Sequence, residues 1–318
     1  MSEDPLNPNH LFGHVQDATY FDLPRFLSED GHGRTYLPQP LAKPLLGPDG
    51  KQVVNAHGEP KYEALWQVHS KSPLINAIVQ PLDFTLTKFM VIEVAVALII
   101  CALFMGLAAK IRHGGAPKGR LWNMLEAFLL YLRDKVALPA IGSHDVDRFA
   151  PLIWTVFFFV LGCNLMGMLP WVGSPTASLA VTAALAFVVF MVVIGAGIAK
   201  LGFVGFWMAQ VPHMDLPKPV AIFLIPMIFC IEIFGLLVKH FVLAVRLLAN
   251  MIGGHVVLAV LLAFITATAG SVLFWGVMPA SVLGGTLLSL LELLVAFIQA
   301  YIFAFLTALF IGTAVHPH

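Results

Sequence analysis

From Val220 to Thr268 the chain runs for about 49 residues with only Glu232, Lys239 and Arg246 charged, although about 20 apolar residues suffice to cross a bilayer as a helix. At 1.5 Å per residue, one continuous helix over this run would be about 70 Å long, more than twice a hydrocarbon core of about 30 Å. The run must therefore bend back or lie steeply tilted. Ser281 to Thr313 poses the same problem over about 33 residues, or about 50 Å. Pro226 is placed to kink the first of these runs. Two overlong, tilted helices make a wall unlike an ordinary upright bundle.

Shorter apolar runs precede them. Phe89 to Ala109 has the length of one upright span, with Glu93 near its start and a basic cluster after it: Lys110, Arg112, Lys118 and Arg120. Phe149 to Trp171 and Thr176 to Ala199 read as a helical hairpin joined by the short turn VGSP. Between them and the first span, Leu121, Trp122, Leu125, Phe128, Leu129, Leu132 and Val136 recur at helical spacing, with Asn123, Glu126, Arg133, Asp134 and Lys135 on other faces. That pattern predicts an amphipathic helix in the membrane surface, or a docking site for a partner helix. The fold class is thus all-α and polytopic: one upright span, an amphipathic surface helix, a helical hairpin and two long tilted helices.

The composition agrees. Charged residues are 11% of the chain and hydrophobic residues 59%, against about 25% charged in a soluble domain. Net charge is zero, so no electrostatic case for nucleic acid arises. Cys101, Cys163 and Cys230 each sit in an apolar run without CxxC or Cys/His spacing. They read as buried small hydrophobes, with no disulfide, metal or other cofactor expected.

Residues 1–85 form a polar extramembrane extension, and residues 86–318 the membrane domain. GPDGK and NAHGEP mark turns in the extension, QVVNA hints at a strand, and the whole reads as loosely structured. His10 and His14 are four apart without a helical pattern around them, which argues against a metal site. More than half of the 18 acidic residues precede Phe89. The acidic, polar start resembles neither a signal peptide nor a transit peptide.

Topology follows from charge. If each apolar run crosses once, every loop Lys and Arg after the first span falls on one side, between 110 and 148 and at 200 and 218. The loops near 172–175 and 269–280 carry none. The positive-inside rule makes the basic side cytoplasmic, with the N-terminus outside and the C-terminus inside.

The polar residues within the long runs carry the functional signal. Arg246 is deep in the apolar sequence FVLAVRLLANMIGG, where a charge costs at least about 2.5 kcal/mol and marks a functional site by default. Glu232, Lys239, Arg246 and Gly253 recur every seven residues, hence on one helical face, and Asn250 lies nearly on it. Gly235, Ala244, Ala249, Gly253, Gly254 and Ala259 keep the helix slim enough for another helix to approach closely. The last run carries Glu292 and Gln299, again seven apart. If the two helices pack antiparallel, setting His255 against Glu292 puts Gln299 near position 248, beside Arg246 and Asn250. A buried His facing a buried Glu can relay a proton or simply close the packing. By helical rise His255 is about 13 Å to one side of Arg246 and Glu232 about 21 Å to the other. Arginine does not release its proton at physiological pH. It can block a direct proton path while attracting a partner's carboxylate, a logic for two offset half-channels rather than one pore.

At these residues the chain resembles the subunit a family of F-type ATP synthases. The matching stretches are KHFVLAVRLLANMIGGH (Lys239 to His255), LLELLVAFIQAYIFAFLTALF (Leu290 to Phe310) and NLMGMLP (Asn164 to Pro170). The resemblance covers roughly residues 80–315. It implies a non-catalytic, membrane-embedded stator subunit that conducts protons, with Arg246 facing the carboxylates of a rotating c-ring and Asn250 and Gln299 as its polar neighbours. It also implies His255 and Glu292 on the inlet path, in a histidine-first arrangement, and Glu232 and Lys239 toward the cytoplasmic exit. The implied partners are the c-ring, the peripheral-stalk b subunits, the remaining complex and the lipid of a bacterial inner membrane. Gly167 stands where some members carry an acid, and nothing before residue 80 matches a familiar motif.

Two other classes compete. A secondary transporter or channel could use Arg246 to bind an anionic substrate, but no internal repeat is visible. An intramembrane enzyme would need a nucleophile–base pair or metal motif, and neither GxSxG nor HExxH occurs.

Overall fold

The computed structural model describes residues 17–18, 20–22, 34–39, 42–47, 52–53, 62–64, 86–112, 119–169, 172–211 and 218–316. His10 and His14, NAHGEP, and most of GPDGK and QVVNA lie outside the described residues. The chain divides into two units, Asp17–Ile92 and, apart from the first 16 residues, Glu93–His318.

The smaller unit holds more order than its Pro- and Gly-rich sequence suggests. Strand β1 (Tyr20–Asp22) pairs antiparallel with β2 (Arg34–Tyr36), and β3 (Ala42–Pro44) with β4 (Tyr62–Ala64). Leu46 bridges Gln52 antiparallel on either side of GPDGK. The Gln39 amide accepts from the Leu86 N–H at 2.7 Å and donates to the Leu86 carbonyl at 2.9 Å, replacing a missing strand partner. The first turn of the following helix has orphan N–H groups. Two are satisfied within this unit, which includes the first residues of that helix: Lys88 N–H donates to the Ala18 carbonyl at 2.8 Å and Phe89 N–H to Asp17 at 3.3 Å. Burial pushes the Asp17 carboxyl above its usual range.

The larger unit is helical throughout. Helix α1 is Lys88–Ile111 and α2 is Arg120–Tyr131. The chain then continues through a π-helical Leu132–Ala137 into an α-helical Leu138–Ile141. The wide turn has a local cause: Pro139 cannot donate, and its ring crowds the carbonyl of Lys135, four residues back. Helix α3 (Val146–Gly167) and α4 (Leu179–Leu201) form the hairpin, joined by a 3₁₀ turn at Pro175–Ala177. A short α5 (Phe203–Met208) follows, then α6 (Lys218–Ala267) and α7 (Phe274–Val315). Five of these helices are long and apolar enough to cross a membrane: α1, α3, α4, α6 and α7. The membrane-spanning part is all-α, and the protein is a multi-pass membrane protein.

Helix α6 is one uninterrupted helix of 50 residues, about 75 Å by helical rise, so the chain does not bend back and an embedded α6 must tilt. Helix α7 starts at Phe274, earlier than expected. Pro279 resembles a breaker in sequence, but in the second turn its missing N–H costs a single bond, to Trp275.

The core centres on α7. Ala296, Ala300, Phe303, Ala304, Thr307, Ala308 and Ile311 recur at helical spacing and are buried against α3, α4 and α6. The stripe of α2 divides: Leu125, Leu132 and Val136 are buried and Phe128 stacks near Phe157, whereas Leu121 stays half exposed. Of the cysteines only Cys163 is buried. Cys101 and Cys230 lie on outward faces, because in lipid an apolar side chain gains nothing by turning inward.

At the end of the bundle that carries the basic residues, Asp145 ties three segments together. It accepts from Lys200 Nζ at the end of α4 at 2.7 Å and from His144 Nδ1 at 3.2 Å, and His316 Nε2 lies 3.5 Å away. The Lys200 ammonium, then His144, holds the Asp145 carboxyl below the usual carboxylate range.

Candidate functional site

Helix α6 presents Arg246 outward. Leu243, Ala244, Leu247 and Met251 are buried against the bundle, which turns Val242, Arg246, Ala249, Gly253 and Val257 to the exposed side. A Cβ added to Gly253 would meet nothing within 4 Å. Among the described residues Arg246 forms no ion pair. A guanidinium at this depth in an apolar helix, aimed away from its own bundle, must find its counter-charge elsewhere.

Helix α7 runs antiparallel along the inner face of α6, and small residues set the register. A Cβ on Gly254 would lie 2.5 Å from Glu292 Oε1, one on Gly285 3.8 Å from Leu258, and one on Gly284 3.8 Å from Leu261. Continued along both helices, this register brings Gln299 to the level of Arg246, about two residues from the position expected from sequence. Gln299 is buried and Asn250 half-buried.

Glu292 is 5% exposed and His255 half-buried, so each depends on a partner for its polar atoms. The register sets Glu292 against Gly254, the residue before His255, and no hydrogen bond joins Glu292 to His255. His255 Nε2 and Glu292 Oε1 are buried without a partner. Leaving such an atom unsatisfied costs about 1–3 kcal/mol. Each is therefore a buried polar atom still open to a further partner.

One turn further along α7, a polar network crosses to the hairpin. Asn164 Nδ2 donates to the Ala296 carbonyl at 3.3 Å, and Thr176 Oγ1 donates to Asn164 Oδ1 at 2.8 Å, with Ser174 Oγ 3.0 Å from Thr176. All three side chains are buried. Gly167 packs directly on Ser174, leaving no room for an acidic side chain there.

On the other side of Arg246, Glu232 and Lys239 line a cavity of about 240 Å³ between α4, α5, α6 and α7. Gln210 and Thr313 add polar groups to its wall, and Leu236, Phe206 and Phe310 apolar ones. Next to it His240 is enclosed by the rings of Phe190 and Phe310, and its Nδ1–H donates to the Leu236 carbonyl at 2.8 Å. The geometry is thus two polar places at different heights, one on either side of an unpaired arginine.

The sequence profile of the family described as ATP synthase A chain matches residues 89–312. Relatives named ATP synthase subunit a align over most of the chain. That of Myxococcus xanthus is 39% identical over 240 residues, 74% of this chain and 76% of its own. That of Anaeromyxobacter sp. strain Fw109-5 is 33% identical over 314 residues, 97% of this chain and 70% of its own. That of Anaeromyxobacter dehalogenans strain 2CP-C is 37% identical over 242 residues, 74% of this chain but 60% of the relative's length. The chain belongs to the ATP synthase A chain family.

Four residues of interest carry no signal in the sequence. Gln210 follows an apolar α5 too short to show a period, and Thr313 is more than 70 residues from Lys239. Thr176 and Ser174 fall in a turn whose sequence announces only a turn. None carries a local signal, since each acquires its neighbours through packing. Among the described residues, no three His, Cys, Asp or Glu side chains come together as metal ligands would.

Proposed function

We propose that this chain is the stationary subunit a of a rotary F-type ATP synthase, conducting protons through two offset half-channels to and from the carboxylates of a c-ring. The observation that carries this reading is Arg246, unpaired on an exposed, small-residue face, with polar sites on opposite sides of it along the helix. A proton arriving from outside passes His255 and Glu292 and neutralises a ring carboxylate, which then turns into lipid. After nearly a full turn that carboxylate meets Arg246 again and gives up its proton past Glu232 and Lys239. The cavity with Gln210 and Thr313 is large enough for several waters, about 30 Å³ each, and serves as the start of this exit. Arg246 stays charged throughout, so protons do not leak between the paths. Asn250 and Gln299 flank its guanidinium and limit where it points. The partners are the c-ring, the b subunits of the peripheral stalk and the rest of the complex. The N-terminus lies outside and the C-terminus in the cytoplasm of a bacterial inner-membrane protein.

The test is ATP-driven proton pumping in inverted membrane vesicles carrying Arg246→Ala. Pumping is expected to vanish while the detached catalytic head still hydrolyses ATP. Normal pumping would overturn the mechanism and leave Arg246 as a structural ion.

A further inference from the structure

A second concave surface lies away from Arg246. Helices α1, α2 and α3 enclose an apolar groove of about 890 Å³, lined by Phe104, Ala108 and Arg112 of α1, Leu129 of α2, and Pro151 and Trp154 of α3. Its shape has an identifiable origin. Helices α1 and α3 touch tightly at Val96 and Gly162, where a Cβ on the glycine would lie 2.6 Å from the valine. Phe104 and Phe158 then meet edge to face at 5.4 Å. Beyond them the groove opens between the two helices, with small Ala108 in its wall. Helix α2 is held to α1 by Trp122 seated on Gly106 and to α3 by the Trp154 indole N–H donating to the Leu129 carbonyl at 3.0 Å.

The groove is closed at one end and basic at the other. From Phe104 to Arg112 it extends about 12 Å by helical rise, close to the hydrocarbon depth of one leaflet. A crossing helix would need a seat through the full thickness, and the Val96–Gly162 contact denies it one. Arg112 is the charged residue of the lining, and among the described residues it forms no ion pair. Basic pockets between membrane helices suit anionic head groups. An apolar recess at this depth loses contacts unless hydrocarbon fills it.

We infer that this groove binds an anionic glycerophospholipid, its phosphate on Arg112 and an acyl chain lying along Ala108 toward Phe104. The test uses the full chain, solubilised with whatever proteins co-purify, in phosphatidylcholine vesicles containing a trace of lipid with a photoactivatable acyl chain. The probe is phosphatidylglycerol in one sample and phosphatidylcholine in the other. Labelling of residues 104–112 and 151–154 is read by peptide mass spectrometry. Phosphatidylglycerol is expected to label these peptides about fivefold more than phosphatidylcholine, the preference one basic residue confers at an anionic lipid surface. Arg112→Gln is expected to remove that preference while labelling continues, and Ala108→Trp to remove labelling by both probes. Equal labelling of the unaltered chain by both lipids would overturn the inference, leaving only unspecific hydrocarbon contact. Cross-linking of these peptides to another protein in place of lipid would also overturn it, assigning the groove to a partner helix.

Discussion

Helices α6 and α7 have nearly the same hydropathy, 2.2 and 2.3 over their most apolar windows, yet 11% of that window is buried in α6 and 44% in α7. In water such a difference would be impossible, because an apolar helix exposed on nearly all sides would collapse onto something. In lipid, hydropathy says only that a helix belongs in the membrane, and burial is decided by which side chains let backbones approach. On α7 the small residues face inward: Ala296, Ala300, Ala304, Ala308 and Gly312 form a ladder every four residues, all buried. On α6 two small residues near Arg246, Ala249 and Gly253, face outward, and a Cβ on Gly253 would meet nothing within 4 Å. The same device, a slim helical face, serves internal packing on α7 and leaves a surface on α6 that another chain can approach as closely.

The largest effect is expected at the end of the α7 ladder. Gly312 packs directly on the Ala140 carbonyl, so a methyl group there meets backbone that cannot rotate away. Gly312→Ala should force the two segments apart at a cost of about 1–3 kcal/mol or more. It should be seen as a lower unfolding temperature and poor recovery of folded protein in detergent. Gly253→Leu adds more atoms to α6 but into open space, and the unfolding temperature should not move. ATP-driven pumping should nevertheless fall by about tenfold or more, each factor of ten corresponding to about 1.4 kcal/mol in the rate-limiting barrier. If Gly253→Leu destabilises the chain as Gly312→Ala does, the outward face of α6 is a packing surface and the contrast between the helices disappears.

Much of this contrast was legible in the sequence, for a physical reason. The bilayer fixes the length of a span, so apolar runs at Phe89, Phe149, Thr176, Val220 and Ser281 announced the five crossing helices. The seven-residue spacings of Glu232, Lys239 and Arg246, and of Glu292 and Gln299, set the polar residues of each long run on one helical face. The choice between bending back and tilting was not legible, because Pro226 permits either and only the continuous α6 decides it. The inner side of the site was also hidden. Phe203–Met208 is too short to show a period, and Gln210 and Thr313 meet Glu232 only once α4, α6 and α7 have packed. The order in residues 20–64 was missed because strands of three residues leave no alternation to read. The Asn164–Thr176 bond was missed because nothing local distinguishes a buried threonine from one in a solvated turn.

A smaller effect sharpens the comparison at the ends of the helices, where lipid gives way to water and charge regains its ordinary meaning. Asp145 joins the start of α3 to Lys200 at the end of α4 and to His316 beyond α7, whereas the described residues give α6 no such ion pair. Asp145→Asn should therefore loosen the packing of α3, α4 and α7 against one another and leave the outward face of α6 unchanged. The pH dependence distinguishes loss of charge from loss of shape. Because Lys200 lowers the folded-state pKa of Asp145, its contribution is fully present above the unfolded carboxylate value of about 3.9 and is lost as pH falls through the lower folded value. Unfolding temperatures of the two proteins in detergent should differ modestly at pH 7 and converge below about pH 3.9. A gap that persists at full size to pH 3 would mean that the asparagine disturbs packing rather than an ion pair, and that shape rather than charge closes this end of the bundle.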